Sequence, residues 1–351
     1  MKFRKNRQIA KLKADTEALA IPEGRRVGQA GHAKALHYLK VRLEGMELLP
    51  FAGEKLELTY EAKHPSDGFK QLYTNLVGVI PGRDRTLEPI LIGAHYDSVI
   101  DAPCADDNAT SIAMTLAIAE EFISKDLERD LIIALFDAEE PPHFMSDAMG
   151  STRFYKDHCQ EIQFAGVIIS DLIGHDLDLK DLGVNFPGKG LLQARAGKTV
   201  FVLGAESDPA FPGIVEKVAT KSRGLNIFPT MNDYVGSLSD HHAFECAGQP
   251  FLFLSCGQGK YYHDKRDDLR WINFEKLFKI THFVSDLISE LDRKDADASC
   301  SEQELVDFEI RMIRRITGRV LPLVMSKFGI AMPKTRADMN QMIGGLITGM
   351  G

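Results

Sequence analysis

Several stretches of this chain set acids and imidazoles directly after apolar runs. PILI is followed by GAHYDSV, which carries His95 and Asp97 in H-x-D spacing, and LIIALFDAEE ends on Asp137, Glu139 and Glu140. CADDNATS puts Asp106 and Asp107 just before a helical stretch, GVIISD ends on Asp171, and YYHDKRDD after PFLFLS carries His263 and Asp267. Any one of these alone reads as a helix cap or a turn; together, at successive strand ends, they read as one site. Imidazole and carboxylate donors without thiolates suit zinc, with Mn2+ or Co2+ as substitutes. Carboxylates this crowded repel one another unless cations sit between them. The count fits two metals about 3.5–4 Å apart that share one carboxylate, activate one water and polarise one carbonyl. One carboxylate must remain free to take the proton of that water, and the Glu139–Glu140 doublet offers a base and a ligand side by side.

Elements must exist to bring these ends together. Apolar spacing predicts helices over 7–20 and 31–48 and strands over 55–62 and 74–82. A βα rhythm follows: the strand PILIGA, a helix over 108–123, a strand over 130–138, a helix near 147–158 and a strand over 164–173. A strand over 198–205, a helix over 211–222, a strand over 249–256 and a helix over 274–291 complete it. Continuous apolar strands alternating with helices give an α/β fold with three layers, a mixed, mostly parallel sheet covered by helices on both faces. In such sheets ligands bind outside the carboxyl ends of the strands. That is where the polar set lies.

Residues 1–292 read as one catalytic domain, and 301–351 as a C-terminal helical extension packed on or beside it. Ser301 and Glu304 have capping-box spacing, and Leu305, Phe308, Met312, Ile313 and Ile316 form a helical stripe. Packing on its own domain is the expected use of that stripe; a homo-oligomer interface or a lid is the alternative. The tail MIGGLITGMG reads as mobile.

Composition bounds the rest. The chain has 351 residues, 44% of them hydrophobic and 26% charged, as in a globular protein. Its formal charge of −8 offers no basic field, so no nucleic-acid partner is expected. No stretch reaches the roughly 18 apolar residues of a membrane span, and the basic start MKFRKNRQIAKLKAD lacks the apolar run of a signal peptide. Five scattered cysteines without C-x-x-C spacing fit free thiols, and the expected location is cytoplasmic.

From about Ile21 to Leu291 these motifs resemble those of the co-catalytic zinc exopeptidases of the bacterial leucyl aminopeptidase type. That superfamily also contains glutamate carboxypeptidases and glutaminyl cyclases. The resemblance implies that His95 binds a metal and Asp97 orients its ring. It implies that Asp106 bridges two metals, with Asp107, its neighbour, following a cis peptide bond. Glu139 would be the general base, and Glu140, Asp171 and His263 would be metal ligands. SDHHAFECAGQP (239–250) matches a substrate-side wall, which makes Asp240, His241 and Phe244 pocket candidates, and the long loop PPHFMSDAMGS after Glu140 adds His143 and Phe144. The chain departs from the family pattern where Cys104 and Ser111 replace the usual glycines, and where no tyrosine stands in register near Ser239. The implied activity is an aminopeptidase with two Zn2+ per chain acting on a peptide with a free N-terminus. Rival readings are a single-zinc glutaminyl cyclase-like acyltransferase and a catalytically silent binding protein, the latter opposed by the complete ligand set.

Overall fold

LIIALF (131–136) has no polar residue on either face, so as a strand it requires cover on both sides. The computed structural model describes residues 2–180, 190–294, 297–318 and 333–348 and supplies that cover. Its strands are β1 (Leu49–Pro50), β2 (Glu57–Lys63), β3 (Lys70–Ile80), β4 (Ile90–His95), β5 (Leu131–Phe136), β6 (Gly166–Ser170), β7 (Thr199–Leu203), β8 (Asn226–Thr230) and β9 (Phe251–Ser255). They form one nine-stranded open sheet in the order β1-β3-β5-β4-β6-β9-β7-β8, with β2 paired to β3. The four central strands β5, β4, β6 and β9 are parallel. β1 and β2 share their direction, whereas β3, β7 and β8 run opposite. The sheet is therefore mixed and mostly parallel.

The helices are α1 (Lys2–Leu19), α2 (Ala30–Glu44), α3 (Thr110–Phe122), α4 (Gly150–Phe154), α5 (Gly190–Ala196), α6 (Phe211–Lys221), α7 (His241–Cys246), α8 (Phe274–Leu291), α9 (Glu302–Thr317) and α10 (Arg336–Thr348). Alternation along the strands divides the core. Leu131, Ile133 and Leu135 pack with Leu39, Ile112, Leu116, Val215, Phe283 and Leu287 of α2, α3, α6 and α8. Ile132, Ala134 and Phe136 pack on the other face with Phe154 and Phe244 of α4 and α7. Register brings the chemical ends level, since His95 pairs with Phe136, just before Asp137, and Gly93 pairs with Ile169 of β6. Gly93 is required there: a Cβ would lie 2.7 Å from the Phe136 ring and 3.0 Å from the Ala134 oxygen.

Some elements differ from the sequence reading. Pro229 argues against a strand, yet β8 forms as an edge strand bonded to β7, where a missing N–H is tolerated. The helix expected near 147–158 is the short α4 followed by one wider turn, Tyr155–Cys159. Much of the tail read as mobile belongs to α10: Met342 and Ile343 are buried against Val306, Ile310 and Ile313 of α9. The capping box of Ser301 and Glu304 opens α9. No helix among the described residues is long and apolar enough to cross a membrane.

α9 uses two sides of its stripe. Ile313 faces α10, while Phe308 and Met312 enter the main core, with Leu305 packed against it. Replacing Phe308, 1% exposed, by alanine should therefore cost the main unfolding transition in urea about 3–5 kcal/mol. An unchanged midpoint, with a separate early transition, would show that α9 folds as an independent appendage.

Candidate metal centre

β4 ends on His95, and the turn beyond it carries Asp97 back beneath the imidazole. Asp97 Oδ1 lies 3.3 Å from His95 Nδ1. The same carboxylate accepts the N–H groups of Glu139 at 3.0 Å and Glu140 at 3.1 Å. One buried acid thus ties the exits of β4 and β5 together and leaves His95 Nε2 to face outward. Around that nitrogen stand Asp171 Oδ2 at 3.5 Å, Asp107 Oδ1 at 3.6 Å and Glu139 Oε2 at 3.8 Å. His263 Nε2 lies 3.4 Å from Asp107 Oδ2 and 3.2 Å from Glu140 Oε2. The Ser239 hydroxyl donates to Asp171 at 3.0 Å.

Two donor groups result, His95–Asp107–Asp171 and Asp107–Glu140–His263, each with its ligand atoms within 4.8 Å of one another. Asp107 belongs to both, turning one oxygen toward each imidazole. The side chain of His263 is 29% exposed against 1% for His95, so the centre opens on the His263 side.

The electrostatics fit cations. His95 Nε2, Glu140 Oε1 and Asp171 Oδ1 are buried without a hydrogen-bond partner, which is unusual for native polar atoms. Burial pushes the Glu139 carboxyl well above its usual range, and the neighbouring Glu140 adds to it. Burial and the Asp107 charge raise Glu140 to about 8. Burial also raises Asp171. Burial opposes a charge on His95 and His263, but the carboxylates outweigh it. Glu139 and Asp171 hold His95 well above the usual imidazole value, and Asp107 and Glu140 bring His263 to about 10. Without cations, then, protons must hold the cluster together; divalent ions would do so instead. Cys104 adds no soft ligand, because burial raises its thiol to about 12.

The loops that aim these groups bend where side chains rarely bend. Cys104, Ala138, Leu172 and His263 have φ of 43°, 53°, 55° and 54°, all left-handed and none glycine. Such residues cost on the order of 1–3 kcal/mol each and persist where the surroundings over-determine them.

Asp106 is not the shared carboxylate. Its Oδ2 lies 2.6 Å from His175 Nδ1 and its Oδ1 accepts the Gly174 N–H at 2.6 Å, away from both donor groups. The cis peptide is Asp107–Asn108, so the motif sits one residue later than the resemblance placed it. Asp267 sets this register by accepting the backbone N–H groups of Asp106 at 2.9 Å and Asp107 at 3.1 Å. Two adjacent aspartates lacking flanking glycines are ambiguous in sequence; counting back from Asn108 would have favoured Asp107. Asp137 also leaves the site, because His32 Nε2 engages it at 2.7 Å and the Thr74 N–H donates to it at 2.8 Å.

The pocket candidates divide. Phe244 packs in the core on Phe136, Tyr155 and Phe164, and His241 stacks on Phe253 at 4.1 Å between ring centres. Burial lowers the His241 pKa to about 3, so it is a neutral core residue, and neither side chain lines an opening. Asp240 is fully buried with both oxygens unpartnered, close enough to Glu139 to raise its pKa; burial brings Asp240 itself to about 7. His143 is buried edge-on against His64 and Tyr73, whereas Phe144 is half-buried and Met145 half-exposed.

Residues 75–288 match peptidase family M28. The uncharacterized protein YfbL of Escherichia coli is 25% identical over 232 residues, covering 62% of this chain and 70% of that one. The vacuolar membrane protease of Schizosaccharomyces pombe is 27% identical over 160 residues, 44% of this chain but 18% of that protein. Among solved structures, a Zn-dependent exopeptidase from Parabacteroides distasonis shares the fold with a TM-score of 0.62 at 18% identity, over 80% of this chain and 97% of that one. The glutaminyl cyclase of Porphyromonas gingivalis does so with a TM-score of 0.63 at 19% identity, over 80% and 98%. The matched span contains both donor groups and Glu139, and the chain belongs to peptidase family M28.

Proposed function

We propose that the protein is a zinc exopeptidase of the aminopeptidase kind, hydrolysing the first peptide bond of a substrate with a free N-terminus. The observation that carries this reading is the position of Asp107, shared by two donor groups that each have their own histidine and second carboxylate. Two zinc ions held there, one by His95 and Asp171, one by Glu140 and His263, with Asp107 between, would acidify a water and polarise the scissile carbonyl.

The rest falls to the chain. Asp97 fixes the His95 ring so that Nε2 faces the centre, the usual task of a carboxylate behind a metal-binding imidazole. Asp97 also holds the backbone of Glu139, so this carboxylate is kept near the other donors without belonging to either group. Glu139 takes the proton of the attacking water and returns it to the leaving amine. Asp171 is steadied by Ser239 from the segment before α7.

Metal content separates the readings. Full-length protein should bind about two equivalents of zinc, and His95→Ala or His263→Ala should each lose one along with most turnover of aminoacyl-anilides. One equivalent together with cyclisation of an N-terminal glutaminyl peptide would favour the single-zinc acyltransferase.

Glu139→Gln should keep both metals and lose on the order of 10²–10⁴-fold or more in kcat, because proton transfer is removed and binding is not. Glu140→Gln should instead lower zinc content. Exchanged phenotypes would reverse the two roles.

A further inference from the structure

One buried cation near the centre has no part in the chemistry above. Arg25 is 0% exposed, and every N–H of its guanidinium ends on a backbone carbonyl. Nε donates to Tyr96 at 2.8 Å, and Nη1 donates to Leu19 and Pro103, both at 2.8 Å. Nη2 donates to Cys104 at 3.0 Å and to Asp107 at 3.2 Å. The backbone N–H of Arg25 donates to Ser98 Oγ at 2.7 Å.

The acceptors are not scattered. Tyr96 and Ser98 flank Asp97 in the loop that follows His95. Pro103, Cys104 and Asp107 belong to the loop that carries the shared carboxylate, including its left-handed residue. Leu19 ends α1. Gly24 lets the arginine in, since a Cβ there would lie 2.4 Å from the Ile100 oxygen and 2.8 Å from the Ala102 nitrogen. A planar fork with fixed donor directions can hold five carbonyls in one arrangement; an ammonium has three donors and no fork.

We propose that Arg25 is a positioning residue for the metal centre: by clamping the loop after His95 to the loop of Asp107, it sets how far apart these two donors stand. It touches neither metal nor substrate. The proposal rests on the two-zinc reading above, because what it positions is a donor shared between two sites.

The decisive measurement is zinc affinity by competition with a chromophoric chelator on the refolded or native full chain, stripped and reloaded. It is paired with the melting temperature of the stripped and loaded forms. Arg25→Lys should bind zinc roughly 10–100-fold more weakly, as expected when the groups behind metal ligands are removed. The gain in melting temperature on loading should shrink. Ser98→Ala, which removes the acceptor of the Arg25 backbone, should weaken binding a few-fold with the fold intact, and decides the matter if Arg25→Lys does not fold. Arg26→Ala, an exposed neighbour paired with Asp101, should leave affinity unchanged. If Arg25→Lys, or Ser98→Ala in its place, lowers both melting temperatures in parallel with zinc affinity unchanged, Arg25 is only a fold-stabilising residue and the proposal falls. Wild-type protein that binds no zinc would overturn the metal reading itself, a different result from a variant that binds as well as wild type.

Discussion

Asp107 presents one carboxylate oxygen to each of two imidazoles that lie far apart in sequence. His95 arrives on the central strand β4, and His263 comes from the loop after β9, with β6 between the two strands. His95 cannot move without unpairing a parallel strand. The loop of Asp107 therefore has to reach both, and it leaves Cys104 in a left-handed turn to do so. Asp267 on one side and the Arg25 guanidinium on the other hold that loop by its backbone, which frees the side chain to face the cluster.

Crowding has an electrostatic counterpart. Burial and mutual repulsion favour the protonated forms of Glu139, Glu140 and Asp171, while the same carboxylates favour protonated His95 and His263. An acid cluster and a pair of imidazoles thus share protons in a site that divalent cations would satisfy better. The sheet makes this affordable. Its parallel centre is apolar on both faces, so the stability of the domain is assembled away from the carboxyl edge, and the edge is left to carry strain.

Much of this was legible in sequence. Apolar runs located β4, β5, β6 and β9 because strands buried on both faces leave no alternation to misread. The polar residues at their ends are what a ligand edge requires, and His95, Glu140, Asp171 and His263 do converge there, beside Glu139. What sequence could not resolve was rotation and register. Asp106 and Asp107 are chemically identical, and contacts distant in sequence decide which one faces the donor groups: His175 and the Gly174 N–H engage Asp106, while Asp267 accepts the backbone N–H groups of both. His241 and Phe244 lie beside Asp240 in sequence, but the short α7 turns them onto β9 and the aromatic core. β8 was hidden by Pro229, since propensity speaks against a strand that an edge position tolerates.

The carboxyl edge is also the part of the fold with the least local reason to hold its shape. Left-handed turns at Cys104, Ala138, Leu172 and His263, and buried oxygens without partners on Glu140 and Asp171, all raise the free energy of the edge relative to the sheet beneath it. Regions of this kind open first, since local opening is governed by what the local contacts contribute. Ions bound by those same oxygens and imidazoles would remove the repulsion and satisfy the unpartnered atoms in one event, so that binding free energy appears as local stability of the loops. The carboxyl edge would thereby be coupled to ion occupancy in a way that the apolar core is not. The division follows from the sequence itself, which places its apolar residues in strands and its acids at their ends.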